Sequence, residues 1–246
     1  MYTDFAQVYD ALMRDVDYAA WAAFYDKLLI QNGMNQNASI VECACGTGSI
    51  TLELCAKGYR MTGIDLSQQM LSIAMKKARD KGYTVPFICQ DMAKLSLGRR
   101  ADAILATCDG LNYLHAEKVA RFFDRASFGL RSGGMLLFDV STPWKLQSVL
   151  GNNTLTCNEE DFSYIWENEW NDHTQTVKLL VTAFVKRKDG LFFRTCEEQT
   201  QFAHSLEFLH TALRNAGFTE IQAYSGQSLQ NAKQNDERWH ITALKP

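Results

Sequence analysis

The stretch Ile40-Val41-Glu42-Cys43-Ala44-Cys45-Gly46-Thr47-Gly48-Ser49 decides the fold of this chain. An apolar strand runs directly into a turn that contains two glycines, and a helical segment follows. Gly46 and Gly48 allow a ligand to approach the backbone closely, and the start of the helix presents free N–H groups. This arrangement predicts a nucleotide cofactor at the carboxyl end of the strand, where parallel α/β sheets bind their ligands.

Outside this stretch, short apolar segments alternate with amphipathic segments of helical length. Strands are predicted at 39–44, 60–64, 86–90, 101–107 and 133–140, and helices at 49–57, 67–81 and 116–130. Ser67 is suited to be a helix N-cap. Strands that alternate with helices form right-handed βαβ units. The sequence therefore predicts an α/β fold with a Rossmann-like, doubly wound, mostly parallel sheet.

The two ends of the chain and one internal segment differ from this alternation. Amphipathic helices are predicted at 3–14 and 18–31, and a helix at 205–216 precedes strands at 218–224 and 238–244. Residues 144–201 alternate aromatic and polar side chains around the turn signals Asn171-Asp172 and Asp189-Gly190, which predicts an antiparallel meander. We therefore expect a cofactor domain of residues 1–143 and 202–246 with an N-terminal helical lid, and an inserted β cap of residues 144–201.

Composition excludes several classes of protein. The 246 residues are 46% hydrophobic and 22% charged with only three prolines, which is typical of a globular protein. No apolar stretch approaches the roughly 20 residues of a membrane span, and the first ten residues do not resemble a signal peptide. We therefore expect a cytoplasmic protein with no membrane partner. The net charge of −3 makes nucleic acid an unlikely partner. The sequence predicts no particular oligomeric state.

The seven cysteines include no CxxC pair. Cys43 and Cys45 lack the two further ligands that a structural zinc requires, so no metal site is predicted. Reduced thiols in a reducing compartment are the simpler interpretation.

Asp65 and two further residues limit the choice of cofactor. Asp65 lies at the end of the second strand, seventeen residues after Gly48, where its carboxylate can accept both hydroxyls of a ribose. A dinucleotide fingerprint would require a third glycine at position 51, which is Thr51 here. Glu42 would repel a pyrophosphate but favour a cationic amino group or sulfonium. These residues disfavour a nicotinamide-dependent dehydrogenase.

With these motifs the sequence resembles the class I S-adenosylmethionine (SAM)-dependent methyltransferases. The segment 42–48 is similar to the first motif of that family, Asp65 to its ribose-binding acid, and Gln90-Asp91-Met92 to its adenine-contacting segment. The segments 101–114, 130–138 and 213–218 are similar to its later motifs. The resemblance implies SAM as cofactor, bound by Tyr9, Glu42, Ala44, Cys45, Gly46, Gly48, Asp65, Leu66, Met70, Asp91, Met92 and Cys108.

The sequence also departs from the family's pattern. Ala44 replaces the usual first-motif glycine, which is tolerable if its backbone keeps ordinary dihedrals and the ligand approaches at Gly46 instead. An N-terminal pattern of Tyr2, Phe5, Tyr9, Asp10, Leu12, Met13, Tyr18 and Trp21, together with the insertion, resembles a bacterial branch that methylates small molecules. That branch is expected to carry a histidine and a basic residue near the end of the insertion, where this chain has Gln199 and Phe202. The acceptor is therefore predicted only as a small molecule.

Candidates for the chemistry are few, because methyl transfer from a sulfonium depends chiefly on positioning. His115, His204 and Tyr9 are the catalytic candidates, and Asn112, Tyr113 and Trp144 the substrate candidates. Alternatives that stay open are an RNA methyltransferase and a SAM-binding module without catalysis.

Overall fold

The structure is a computed structural model that describes residues 5–246. Its helices are α1 (Ala6–Leu12), α2 (Tyr18–Gln31), α3 (Ser49–Ala56), α4 (Gln68–Asp80), α5 (Ala116–Gly129) and α6 (Leu206–Asn215). Its strands are β1 (Ser39–Cys43), β2 (Arg60–Asp65), β3 (Phe87–Cys89), β4 (Ala101–Ala106), β5 (Leu130–Ser141), β6 (Thr154–Asn158), β7 (Phe162–Asn171), β8 (Thr176–Lys186), β9 (Phe192–Phe202), β10 (Thr219–Ser225) and β11 (Arg238–Leu244).

Seven strands form the main sheet, in the order β10-β11-β5-β4-β1-β2-β3. Strands β1 to β5 pair in parallel, and β11 is antiparallel to both of its neighbours. The predicted fold class, a Rossmann-like and mostly parallel sheet, is confirmed. The predicted N-cap at Ser67 is also confirmed, because its side chain accepts a hydrogen bond from the amide of Met70 at 3.3 Å.

The main core lies on both faces of this sheet. Ile104, Leu136 and Phe138 face α5 and α6, while Ile40, Leu105 and Leu137 face α2 and α3. Successive residues of a strand point to opposite faces of the sheet. Because helices cover both faces, both sets of side chains are buried, and the strands are mostly apolar along their length. A site on this sheet is therefore expected at the ends of its strands rather than on its faces.

The strands β6 to β9 form a separate antiparallel sheet between β5 and α6 in the chain. Phe5 and Val8 of the N-terminal segment pack against Phe162 and Val181 of this sheet. The sheet and α1 therefore bury each other's apolar sides.

The predicted elements differ from the observed ones at several boundaries. Residues 144–153, predicted as part of the meander, instead contain a π-helical segment at Lys145–Leu150, whose Leu146 and Leu150 pack on β8. The last inserted strand extends to Phe202. Strand β5 begins at Leu130 rather than at residue 133. The predicted helix at 3–14 is Ala6–Leu12, and Tyr2, Thr3 and Asp4 lie outside the described residues.

Candidate active site

A cavity of about 460 Å³ lies at the carboxyl ends of β1, β2 and β4, within the size range of cofactor pockets. The structure brings together here all of the predicted cofactor residues except Gly48, namely Tyr9, Glu42, Ala44, Cys45, Gly46, Asp65, Leu66, Met70, Asp91, Met92 and Cys108. The glycine loop and the ends of three strands thus form a single concave surface.

Asp65 and the glycine loop are held together by backbone hydrogen bonds. The amides of Gly46 and Ser67 donate to the two carboxylate oxygens of Asp65, both at 2.8 Å. Asp65 also lines the cavity, so its carboxylate is placed to accept hydrogen bonds from the hydroxyls of a ribose. A Cβ at Gly46 would meet no atom within 4 Å, which leaves open space above the loop. These residues fit the adenosine part of SAM.

Gly48 supports the loop from outside the cavity. It has the left-handed φ of +75°, its amide donates to the carbonyl of Cys45 at 2.8 Å, and it caps the start of α3. A Cβ there would lie 3.0 Å from that of Ala74. Its role is to close the turn and to let α4 approach.

The condition of ordinary dihedrals at Ala44 is not met, because its φ is +53°. In this conformation the chain turns so that the amide of the next residue, Cys45, donates to the carbonyl of Ile64 at 3.0 Å. A left-handed φ costs a residue with a Cβ about 1–2 kcal/mol. The glycine usual in this family would avoid that strain.

Glu42 is a buried acid beneath the cavity floor, only 1% exposed. Thr107 donates to it at 2.6 Å, and Thr51 donates to its other oxygen. Burial raises the pKa of Glu42 to about 7, although both hydroxyls act against this shift. Thr51, which stands where a dinucleotide fingerprint has glycine, therefore has a structural task of its own.

A second cluster of charges lies at the ends of β4 and β5. Cys108 and Asp109 both have left-handed φ, and their amides donate to the carboxylate of Asp139 at 2.7 and 3.1 Å. Arg238 pairs with both Asp109 and Asp139. Burial raises the pKa of Asp139; burial acts the same way on Asp109, but Arg238 and Lys145 hold the pKa of Asp109 below its ordinary value.

A smaller cavity of about 150 Å³ adjoins the first, between α1, the inserted sheet and the ends of β4 and β5. Its walls are rich in aromatic and charged side chains, among them Phe5, Trp21, Trp166, Asp109, Lys145, Glu197 and Arg238. Both cavities are lined by Tyr9, Cys108, Tyr113 and Gln199. The two spaces therefore meet at these four residues.

Of the three catalytic candidates, the structure places only Tyr9 in a cavity lining. His115 precedes α5 as an exposed residue and its ring contacts that of Phe202. His204 is buried, and its Nε2 lies 2.9 Å from the carbonyl of Leu114 and 3.3 Å from that of Leu111. Burial lowers the pKa of His204. Burial and these two backbone contacts indicate that His204 contributes to packing rather than to catalysis.

The substrate candidates are likewise divided. Tyr113 lines both cavities. Asn112 is fully buried, and its side chain bonds to the backbone of Ser141 on β5 and of Phe202 on β9, which fastens the inserted sheet to the main domain. Trp144 lies outside the linings of the two cavities. Gln199 and Phe202, which replace the histidine and basic residue of the related branch, both line the larger cavity.

Sequence reasoning missed several lining residues, namely Tyr18, Thr47, Ser49, Thr107, Lys118, Lys145 and Arg238. Thr47 and Ser49 adjoin the glycines of the loop, so their position alone could have identified them. Lys145 and Arg238 carry no local signal, because only tertiary packing brings them to the site. Within residues 5–246 no cluster of His, Cys, Asp and Glu could hold a metal ion, and no helix there has the length and apolarity to cross a membrane.

Comparisons with known proteins agree with this geometry. Residues 40–134 match the methyltransferase domain family. A relative designated a methyltransferase in Geobacillus sp. (strain WCH70) is 34% identical over 245 residues, 99% of each chain. A SAM-dependent methyltransferase of Clostridium acetobutylicum ATCC 824 has a crystal structure that superposes with a TM-score of 0.89, at 31% identity and covering 99% of this chain and 98% of that one.

The name of a more distant relative states its substrate. The dTDP-3-amino-3,4,6-trideoxy-alpha-D-glucopyranose N,N-dimethyltransferase of Streptomyces venezuelae is 32% identical over 149 residues, which are 57% of each chain. The similarity to this enzyme covers little more than half of either protein.

Proposed function

Since the chain belongs to the class I SAM-dependent methyltransferases, we propose that it transfers the methyl group of SAM to a small-molecule acceptor in the smaller cavity. The observation that supports this proposal is the junction of the two cavities at Tyr9, Cys108, Tyr113 and Gln199. A cofactor in the larger cavity and an acceptor in the smaller one would meet at these side chains.

The residues of the larger cavity account for cofactor binding in the proposal. The carboxylate of Asp65 accepts hydrogen bonds from the ribose hydroxyls, and Leu66 and Met70 offer apolar surface for the adenine. Asp91 lines the same cavity while its side chain also accepts from the amide of Ala93 at 2.9 Å. Glu42 supplies negative charge for a cationic methionine end. When bound, SAM supplies an electrophilic methyl group on a sulfonium.

The chain's own contribution to the reaction is positioning. Transfer of a methyl group is an in-line displacement, and holding two reactants in contact removes much of its entropic barrier. Tyr9 and Tyr113 flank the junction on two sides, and the inserted sheet covers the smaller cavity through Trp166 and Gln201. A covered junction excludes water and orients a small nucleophile. In the proposal the segment 144–201 therefore acts as a cap over the acceptor.

Two observations support a small acceptor. A cavity of about 150 Å³ has room for a group the size of one ring. The relative in Streptomyces venezuelae is an amino-sugar methyltransferase, which also acts on a small molecule. We further place the protein in the cytoplasm, because all seven cysteines are free thiols, as in proteins of a reducing compartment.

The proposal is tested by incubating the protein with methyl-labelled SAM and separate low-mass and RNA fractions of a bacterial extract. We expect label in a low-mass product, and its loss in Asp65→Ala. Label in RNA alone would favour an RNA methyltransferase, and tight cofactor binding without transfer to either fraction would favour a non-catalytic module. Either result would overturn the proposal.

The role of the smaller cavity has its own matched test. Trp166→Ala should lower methyl transfer about tenfold or more, because the acceptor loses a wall, while affinity for S-adenosylhomocysteine (SAH) should stay unchanged. Trp170→Ala is the control, since this residue lies on the same strand but outside the two cavity linings. Equal activity of both variants would remove the acceptor from this cavity.

A further inference from the structure

Four side chains form a compact polar cluster beside the glycine loop, which we call the α1 clasp: Asp10, Thr47, Ser49 and Lys77. The hydroxyl of Thr47 donates to Asp10 Oδ1 at 2.6 Å. Lys77 Nζ lies 3.1 Å from Asp10 Oδ2, 3.2 Å from Thr47 Oγ1 and 3.0 Å from Ser49 Oγ. One ammonium group on α4 is thus bonded to two other segments of the chain, α1 and the glycine loop with the start of α3.

The clasp connects the elements that surround the larger cavity. Asp10 lies on α1, Lys77 on α4, and Thr47 and Ser49 in the loop and at the start of α3. Tyr18, the first residue of α2, shares a hydrogen bond with Ser49. Both N-terminal helices are therefore tied by side chains to the loop that the cofactor would contact.

The residue next to Asp10 is Tyr9, which lines both cavities. Helix α1 has only seven residues, and the residue at its N-cap is Phe5, whose side chain has no hydrogen-bonding atom. A helix this short is marginal by itself and depends on its tertiary contacts. These contacts include its apolar packing on the inserted sheet and, on the side of the cofactor cavity, the clasp. Movement of α1 would displace Tyr9 from the junction of the cavities.

We propose that Asp10 is a positioning residue, which holds α1 and Tyr9 over the cofactor cavity through Thr47 and Lys77 and thereby determines how long the cofactor stays bound. This inference rests on the proposed function, since it assigns the larger cavity to SAM. The clasp must open for exchange of the cofactor, because its bonds join the lid directly to the glycine loop.

The partial exposure of the clasp gives it a measurable signature. The side chain of Lys77 is 29% exposed and that of Asp10 is 43% exposed, so dissolved salt reaches this ion pair and weakens it. Thr47, by contrast, is buried, and its hydroxyl would lose its acceptor if α1 moved away. The α1 clasp should therefore open slowly at low ionic strength and faster at high ionic strength.

The first experiment observes the lid without any cofactor. Hydrogen–deuterium exchange of the α1 amides is measured in wild type, Asp10→Asn and Lys77→Met. We expect exchange of α1 to be about fivefold faster in both variants, the effect of one partly exposed ion pair, with α5 unchanged. Unchanged exchange of α1 in both variants would overturn the clasp whether or not the protein binds SAM.

The second experiment measures dissociation of SAH by stopped-flow displacement. We expect the dissociation rate constant to rise about fivefold in Asp10→Asn and Lys77→Met. The wild-type rate constant should rise with salt between about 0.05 and 0.5 M, and that of Asp10→Asn should not.

Lys81→Met is the matched control. Lys81 directly follows the last residue of α4 and its Nζ–carboxylate distance to Glu53 is also 3.1 Å, but this pair joins the end of α4 to α3 rather than to α1. A lower melting temperature of Asp10→Asn with an unchanged dissociation rate constant would make the cluster merely structural and overturn the proposal. If wild type fails to bind SAH while exchange of the α1 amides responds as expected, the proposed function is wrong, but the α1 clasp still holds α1 in place.

Discussion

Glu42→Gln tests whether the buried acid recognises the cationic end of the cofactor. The substitution keeps the size of the side chain and removes its charge. Burial holds the pKa of Glu42 at about 7, so the folded protein without cofactor is partly protonated there at neutral pH. A cation bound nearby favours the ionised form and lowers this pKa, so binding must release a proton.

The sign and size of the effect follow from this pKa. Below pH 7 Glu42 is neutral, and binding must first ionise it, which costs about 1.36 kcal/mol for each pH unit. The affinity of wild type for SAH should therefore fall about fivefold between pH 7 and pH 6, because Glu42 is already half protonated at pH 7, and level off above pH 8. The Gln variant should bind more weakly at pH 8 and should lack this dependence, so the two affinities converge at low pH.

Isothermal titration calorimetry in buffers of different ionisation enthalpy measures the protons released. At pH 7 wild type should release about half a proton more than Glu42→Gln, because a group with a pKa near 7 is half protonated there. The amino group of SAH titrates alike in both proteins and cancels in the difference. Glu53→Gln, an acid on the outer part of α3, is the control. Equal proton release and parallel pH profiles would refute the role of Glu42.

Three further predictions concern single substitutions. Asp65→Ala should weaken SAH binding by about 1.5 to 3 kcal/mol in calorimetry, since charge-assisted hydrogen bonds to the ribose are lost; unchanged affinity would remove Asp65 from the site. His240 is buried among aromatic rings with neither ring nitrogen bonded, and burial lowers its pKa to about 3, so the unfolded state binds more protons below pH 6.5. His240→Phe should therefore gain about 2 kcal/mol relative to wild type between pH 7 and pH 5 in urea denaturation, and a constant difference would contradict this. Ala44→Gly should raise the free energy of unfolding by about 0.5 kcal/mol, because relief of the left-handed strain exceeds the added entropy of the unfolded chain; a clear loss of stability would show that the alanine side chain matters more than its strain.

The main sheet was predictable because its signals are local. Apolar strands with glycines at their ends recur along the chain, and each strand–turn–helix unit can be recognised within about twenty residues. Asp65 and the glycine loop were predicted for the same reason, since a strand end fixes where the next side chain must lie. Thr51 was recognised only as a missing glycine; its bond to Glu42 explains why a hydroxyl stands there.

The smaller cavity and the α1 clasp were not predictable, since they join residues that are distant in sequence. The clasp joins Asp10 to Lys77, 67 positions apart. Ala44 shows a different limit: its backbone conformation accompanies a hydrogen bond from Cys45 to the neighbouring strand, and no property of alanine indicates it. His204 was proposed from its place after the insertion, but its orientation depends on two backbone carbonyls of another segment.

The antiparallel direction of β11 explains why the positively charged side chain of Arg238 lies at the carboxyl end of β5. In a parallel sheet every strand presents its last residues to the site and its first residues to the opposite edge. Because β11 is antiparallel, its first residue, Arg238, pairs in register with Ser141 at the carboxyl end of β5. Arg238 there balances Asp139, whose carboxylate holds two consecutive left-handed residues, Cys108 and Asp109.

The energetics of this cluster favour such an arrangement. Two left-handed residues cost about 1–2 kcal/mol each, and two hydrogen bonds to a charged acceptor offset this with about 1.5–3 kcal/mol each. That gain requires Asp139 to stay ionised, although burial opposes its charge. Arg238 counters this effect, so the antiparallel strand β11 stabilises the turn of Cys108 and Asp109 between the larger and the smaller cavity. A parallel strand in the same place would present its first residue at the other edge of the sheet and could not do so.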